Sequence, residues 1–138
     1  MDFFLNAVLQ VLEPINLLIL LASTVVGVIV GAIPGLTVTM AVALAVPLTI
    51  WMETTPAMLM LLGLYGSGIY GGSISACLLN APGTPASAAT SLDGYELGRQ
   101  GKAGKALKMA LYASIYGGLF SIALLVLIAP QLAQFALK

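Results

Sequence analysis

Uncharged polar side chains cluster in one glycine- and proline-rich stretch between positions 71 and 90. Hydroxyl and amide groups can coordinate Na⁺ or hydrogen-bond a carboxylate without the free-energy cost of burying a charge. We therefore interpret this stretch as a candidate site for a carboxylate and a Na⁺ ion, with Asn80 and Thr84 as the candidate Na⁺ ligands. The candidate binding residues in it are Ser73, Ser75, Asn80, Pro82, Gly83, Thr84, Pro85, Ser87 and Thr90.

The composition places these residues in a membrane protein. Of the 138 residues, 60% are hydrophobic and 7% are charged, whereas an average soluble domain has about 25% charged residues.

The net charge is zero and histidine is absent, so the sequence has no excess of basic residues for binding nucleic acid and no imidazole that could act as a base. The single cysteine excludes an intrachain disulfide. Since no nucleophile and base can be recognised, we expect no enzyme activity and no cofactor other than Na⁺.

The positions of the charged residues mark the ends of the apolar segments that carry the candidate site. Charge-free stretches cover residues 14–52, 54–92 and 109–137, and a bilayer core needs about 20 apolar helical residues per crossing. We predict a single all-α domain over residues 1–138, a polytopic helical membrane protein with four to five membrane segments, some broken or re-entrant. The predicted segments are 15–33, 36–52, 57–80 and 107–129.

Two proline–glycine motifs interrupt these apolar segments: Pro34-Gly35 and the longer motif from Pro82 to Pro85. An unpaired backbone group in hydrocarbon costs several kcal/mol, so such a break persists at membrane depth only if it is buried in protein or lines a wet cavity. Freed amides at a helix N-terminus favour an anion, and freed carbonyls at a C-terminus favour a cation. Pro34 and Gly35 therefore join the candidate binding residues.

Each motif also has a plainer interpretation. The Pro34-Gly35 dipeptide is typical of a tight link between two membrane-spanning helices, and the motif from Pro82 to Pro85 is also typical of a loop at the membrane surface. Glycines four residues apart, such as Gly27 and Gly31, indicate close helix packing. The residues themselves leave these alternatives open.

Four of the five basic residues lie between Arg99 and Lys108. Because basic residues in short loops are retained on the cytoplasmic side, we predict a cytoplasmic loop over residues 91–108, with a turn at Asp93-Gly94. We also expect Gly117-Gly118 to interrupt the last segment, ahead of Pro130. The orientation of the N-terminus depends on whether one of the broken segments turns back, and the sequence leaves it open.

With these residues in view, the chain resembles the large membrane subunit of tripartite tricarboxylate transporters, the TctA family. The resemblance rests on GAIPGL at 31–36, on Pro47, on the long block from Leu64 to Leu107 and on the glycine pair at 117–118. It implies a multi-pass permease of the bacterial cytoplasmic (inner) membrane that imports tricarboxylates or related organic anions by secondary transport, driven by a cation gradient.

The resemblance also implies partners and site residues. The partners are a small membrane subunit, a periplasmic solute-binding protein, the remaining half of the permease and the lipid bilayer, with no nucleic acid. The signature stretches of the family fall on Pro34 and Gly35 and on the residues from Asn80 to Thr90. Family members are far longer than this chain. The alternative function is a non-transporting structural or accessory membrane module of a larger complex.

Overall fold

The fold was analysed in a computed structural model that describes the backbone of residues 2–136 and the side chains of residues 5–129, 131 and 132. The described residues form helices and connecting turns, without a strand. The elements are α1 (Asp2–Val11), α2 (Pro14–Ala32), α3 (Val38–Thr49), α4 (Thr54–Leu79), a 3₁₀ turn (Pro85–Ser87), α5 (Ala88–Arg99) and α6 (Ala103–Ala136).

Three of these helices contain segments that are long and apolar enough to cross a membrane: Pro14–Ala32, Thr54–Leu79 and Ala103–Ala129. Helix α3 is apolar but shorter. This architecture confirms the predicted all-α polytopic membrane protein. Helices α2, α3, α4 and α6 overlap the four predicted segments with displaced ends, whereas α1 and α5 lie outside them. Helix α6 differs most, because it begins at Ala103 and continues through position 130.

Helices α2 and α4 run parallel and in close contact along a line of glycines. A Cβ atom at Gly27 would collide with the backbone of Leu64, and one at Gly31 would collide with the backbone of Gly68. A Cβ atom at Gly71 would lie 3.0 Å from the backbone nitrogen of Ala32. Residues later in α2 thus contact residues later in α4, so the two helices are parallel. The short distances confirm the prediction that these glycines allow close helix packing.

Helix α3 returns beside α4, so that α2 and α3 form a hairpin with its turn at Pro34 and Gly35. Gly35 has a φ of 94°, a conformation that glycine adopts without a steric cost. The end of α2 is level with Gly71, eight residues before α4 ends at Leu79. At 1.5 Å per residue, the turn therefore lies about 12 Å short of the end of α4.

The prediction of a turn at Asp93-Gly94 is wrong, because both residues lie inside α5. Gly94 is required for packing: a Cβ atom there would lie 2.5 Å from the Sγ atom of Cys77 on α4. Most of the predicted loop over residues 91–108 is consequently helical, and the chain turns at residues 100–102, where Gly101 has a φ of 74°. The expected interruption at residues 117–118 is also wrong, because α6 is continuous there.

Candidate functional site

The break after α4 begins with a left-handed residue. Asn80 has a φ of 55°, and its backbone N–H donates to the carbonyl of Ser75. The N–H of Ala81 donates to the same carbonyl at 3.4 Å. Both bonds thus end at the Ser75 carbonyl and close the last turn of α4. Asparagine suits this position because it tolerates the left-handed region better than most residues.

The chain then folds back along α4 and is wedged between two helices at Gly83. The N–H of Gly83 donates to the carbonyl of Gly72 at 3.5 Å. A Cβ atom at Gly83 would lie 3.0 Å from the Cα atom of Gly72 and 2.5 Å from the carbonyl oxygen of Gly31. Since Gly72 is seven residues before the end of α4, the segment returns about 10 Å along the helix. It therefore reaches the level of the Pro34–Gly35 turn.

The segment ends in a reciprocal cap formed by Thr84 and Ser87. The N–H of Ser87 donates to Thr84 Oγ1 at 3.3 Å, and the N–H of Thr84 donates to Ser87 Oγ at 3.1 Å. The Ser87 hydroxyl also donates to the Thr84 carbonyl at 2.8 Å. Ser87 is only 2% exposed, so this cap fixes the start of the 3₁₀ turn and of α5.

A cavity of about 410 Å³ lies between this cap and the start of α3. Residues 37–39, residues 83–86, and Tyr65 and Ile69 of α4 line it. Its volume falls in the range typical of small-molecule sites. Residues that follow the first predicted break and residues of the second therefore line one cavity.

The N-terminus of α3 and the 3₁₀ turn that precedes α5 border this cavity. Helix α3 begins at Val38, with Thr37 as its N-cap accepting a bond from the N–H of Met40 at 3.2 Å, and runs back towards the start of α4. Helix α5 starts from the cap at Ser87 and runs the opposite way, towards the end of α4, because Gly94 packs against Cys77. The first turns of both helices contain no acidic residue. The dipole of α3 and the amides of the 3₁₀ turn before α5 therefore favour an anion in the cavity.

A second cavity, of about 250 Å³, lies on the other side of the 3₁₀ turn. It shares Ile69 and Ala86 with the first cavity. Hydroxyl-bearing side chains of three helices and of the turn line it: Ser73, Ser87, Thr90 and Ser114. The first-turn amide of Ala86 has no acceptor within its own helix, and it stands at the wall between the two cavities.

The predicted site residues thus fall into three groups. Gly83, Thr84 and Pro85 line the first cavity, and Ser73, Ser87 and Thr90 line the second. Pro34, Gly35, Asn80 and Pro82 are exposed, while Ser75 is buried and donates to the carbonyl of Gly72 at 3.0 Å. The role of each of these residues in ligand binding stays a prediction.

Sequence reasoning missed Thr37, Thr39 and Ser114, which line these cavities. A signal for Thr37 exists, since a threonine shortly after a proline–glycine pair and just before an apolar run is typical of a helix N-cap. Ser114 lies within a long apolar helix, and no local pattern distinguishes it from a packing residue.

Comparisons with known proteins agree with this architecture. The sequence matches the family model described as "Tripartite tricarboxylate transporter TctA family" over residues 17–138. It is 38% identical over 127 residues to an "Uncharacterized 52.8 kDa protein in TAR-I ttuC' 3'region" of Agrobacterium vitis, a match that covers 92% of this chain. The chain spans 25% of the length of that relative. No solved structure matches the chain significantly. The chain therefore belongs to the TctA family, the membrane components of tripartite tricarboxylate transporters.

Proposed function

We propose that this chain is the N-terminal part of a permease subunit that imports tricarboxylates or related organic anions by secondary transport. The first cavity is the place where a carboxylate of the substrate binds. The observation that carries this proposal is that the N-terminus of α3 and the 3₁₀ turn before α5 border one cavity. Backbone dipoles at helix N-termini attract an anion without a basic side chain.

The coupling ion in this proposal is Na⁺. None of the residues that line the first cavity is charged, so a bound multivalent anion benefits from a cation close to it. Thr84 lines the cavity. Asn80 lies at the end of α4, where the unwound segment of residues 80–84 begins. Their neutral oxygens, with carbonyls at the end of α4, are the kind of ligand that a monovalent cation accepts at a broken helix.

The partners in this proposal follow from the tripartite family. A small membrane subunit and a periplasmic solute-binding protein assemble with the permease in the bacterial cytoplasmic (inner) membrane, and the remaining part of the permease completes the transport site. The basic residues between Arg99 and Lys108 face the cytoplasm, as basic residues in short loops of membrane proteins do.

The test places a negative charge where the carboxylate is proposed to bind. Ala86 is exposed and lines the cavity, and an acidic residue in the first turn of a helix does not destabilise it. In the intact transporter, Ala86→Asp should abolish uptake of labelled citrate, whereas the neutral control Ala86→Asn should retain most of it at equal membrane abundance.

Wild-type uptake by Ala86→Asp would contradict the proposal. It would favour the alternative of a structural or accessory module that binds no substrate. Loss of uptake in both variants, with binding of citrate intact, would also contradict the assignment of this cavity to the carboxylate.

A further inference from the structure

A separate polar cavity lies at the opposite end of the bundle, where the α1–α2 junction meets the start of α4. Its volume is about 340 Å³. Oxygen-bearing side chains dominate its lining: Gln10, Glu13, Asn16, Glu53 and Thr55. None of the residues that line it is basic. The two carboxylates belong to Glu13 and Glu53, the N-cap residues of α2 and α4, so only the partial positive charge of two helix N-termini stands opposite them.

Asn16 is buried at this cavity with an unsatisfied oxygen. The side chain is only 3% exposed. Its Nδ2 atom donates to the backbone carbonyl of Gln10 at 2.6 Å and to Glu13 Oε2 at 3.4 Å. Because both of these partners are acceptors, they fix the orientation of the amide. The buried Oδ1 atom then has no hydrogen-bond partner.

A buried acceptor without a donor carries a desolvation cost that natural structures offset with a partner, an ordered water or an ion. The neighbouring hydroxyl is also available as an acceptor. Thr55 Oγ1 donates its proton to Gln10 Oε1 at 3.3 Å, so the lone pairs of Thr55 Oγ1 stay free. Amide oxygens, hydroxyl oxygens and carboxylates together form the ligand set of a hard cation. The described residues contain no group of three or more acidic, cysteine or histidine side chains, so neutral oxygens must complete such a set.

We propose that this cavity binds a hard divalent cation of the Ca²⁺ type, with Asn16 Oδ1 and the carboxylates of Glu13 and Glu53 as protein ligands. Two carboxylates balance the charge of a divalent ion better than that of Na⁺. Ca²⁺ also tolerates an irregular set of carboxylate, amide and water oxygens. The bound ion joins the α1–α2 junction to the first turn of α4. This site is independent of the proposed transport site.

The experiment measures binding of ⁴⁵Ca²⁺ to the full-length protein in detergent, with Na⁺ held constant. The wild type should bind one Ca²⁺ per chain at this site, and Glu53→Gln should weaken that binding at least tenfold because it removes one charge from an exposed ligand. Glu96→Gln is the matched control, since Glu96 is exposed on α5 and does not line the cavity. It should bind as the wild type does.

Asn16→Leu tests the buried ligand, and Glu13→Gln provides a second variant if Asn16→Leu fails to fold. Bound Ca²⁺ should also raise the unfolding temperature of the wild type, and the same Ca²⁺ concentration should raise that of Glu53→Gln by less. Absence of saturable Ca²⁺ binding by the wild type would overturn the proposal. Equal binding by wild type, Glu13→Gln and Glu53→Gln would overturn it as well.

Discussion

Gly83 of the unwound segment lies against Gly31 at the end of α2, so closely that a Cβ atom at position 83 would be 2.5 Å from the Gly31 carbonyl oxygen. This contact brings the two breaks of the chain together. One break ends α2, and the other ends α4. Although α2 ends about 12 Å short of the end of α4, the unwound segment folds back along α4, so that Gly83 lies level with the break after α2. Residues that follow the first break and residues of the second therefore line one cavity.

Gly83→Ala should disrupt this contact. The two atoms nearest to the new methyl group belong to the backbone of two helices, which cannot move aside at little cost. Overpacking of this kind typically costs about 1–3 kcal/mol, so we expect a lower unfolding temperature in detergent and strongly reduced citrate uptake. Gly104→Ala is the control, because a Cβ atom there meets nothing within 4 Å. A Gly83→Ala protein as stable and active as this control would contradict the packing described.

Thr84→Val should weaken the cap of the 3₁₀ turn, because it removes the oxygen that accepts from the N–H of Ser87. Loss of an N-cap of this kind costs about 0.5–2 kcal/mol. Thr84→Ser keeps the oxygen and should restore both the stability and the uptake. Thermal unfolding and citrate uptake of the two variants provide the measurement. Equal behaviour of the valine and serine variants would show that the hydroxyl has no role.

Substitutions at Asn80 separate its conformation from its side chain. Asn80→Gly keeps the left-handed backbone and removes the amide, whereas Asn80→Ala adds strain of about 1–2 kcal/mol. If the amide binds Na⁺, Asn80→Gly should retain its unfolding temperature but need a several-fold higher Na⁺ concentration for half-maximal uptake. Unchanged Na⁺ dependence in Asn80→Gly would leave this residue only the role of a helix cap.

Gly94→Ala should destabilise the contact between α5 and α4, because the new methyl group would lie 2.5 Å from the Sγ atom of Cys77. We expect a loss of about 1–3 kcal/mol from overpacking. Cys77→Ala removes that sulfur, so the double variant should recover most of the loss in a double-mutant cycle.

Gly98→Ala provides the comparison for this cycle. A Cβ atom at Gly98 would lie 2.7 Å from the backbone oxygen of Cys77, which no side-chain substitution removes. Cys77→Ala should therefore leave the Gly98→Ala defect uncorrected. Recovery of Gly98→Ala to the same extent as Gly94→Ala would contradict the geometry of this interface.

The long apolar segments and the position of both breaks could be predicted from the sequence, since length, hydropathy and proline–glycine chemistry are local properties. The contact between the two breaks could not be predicted from the sequence. It depends on which glycine of α4 faces Gly31, and several spacings of four residues permit different registers. Asp93-Gly94 misled the prediction because the dipeptide is typical of a turn, whereas Gly94 serves a close contact with Cys77.

Residue 86 borders the cavity in which we propose that the substrate carboxylate binds. To test this, Ala86→Cys is introduced together with Cys77→Ala in an intact transporter without other reactive cysteines, and the rate of modification by a hydrophilic thiol reagent is measured. We expect saturating citrate to slow modification at position 86 at least fivefold and not to slow it in a Gly104→Cys control. Equal modification rates at position 86 with and without citrate would contradict this proposal.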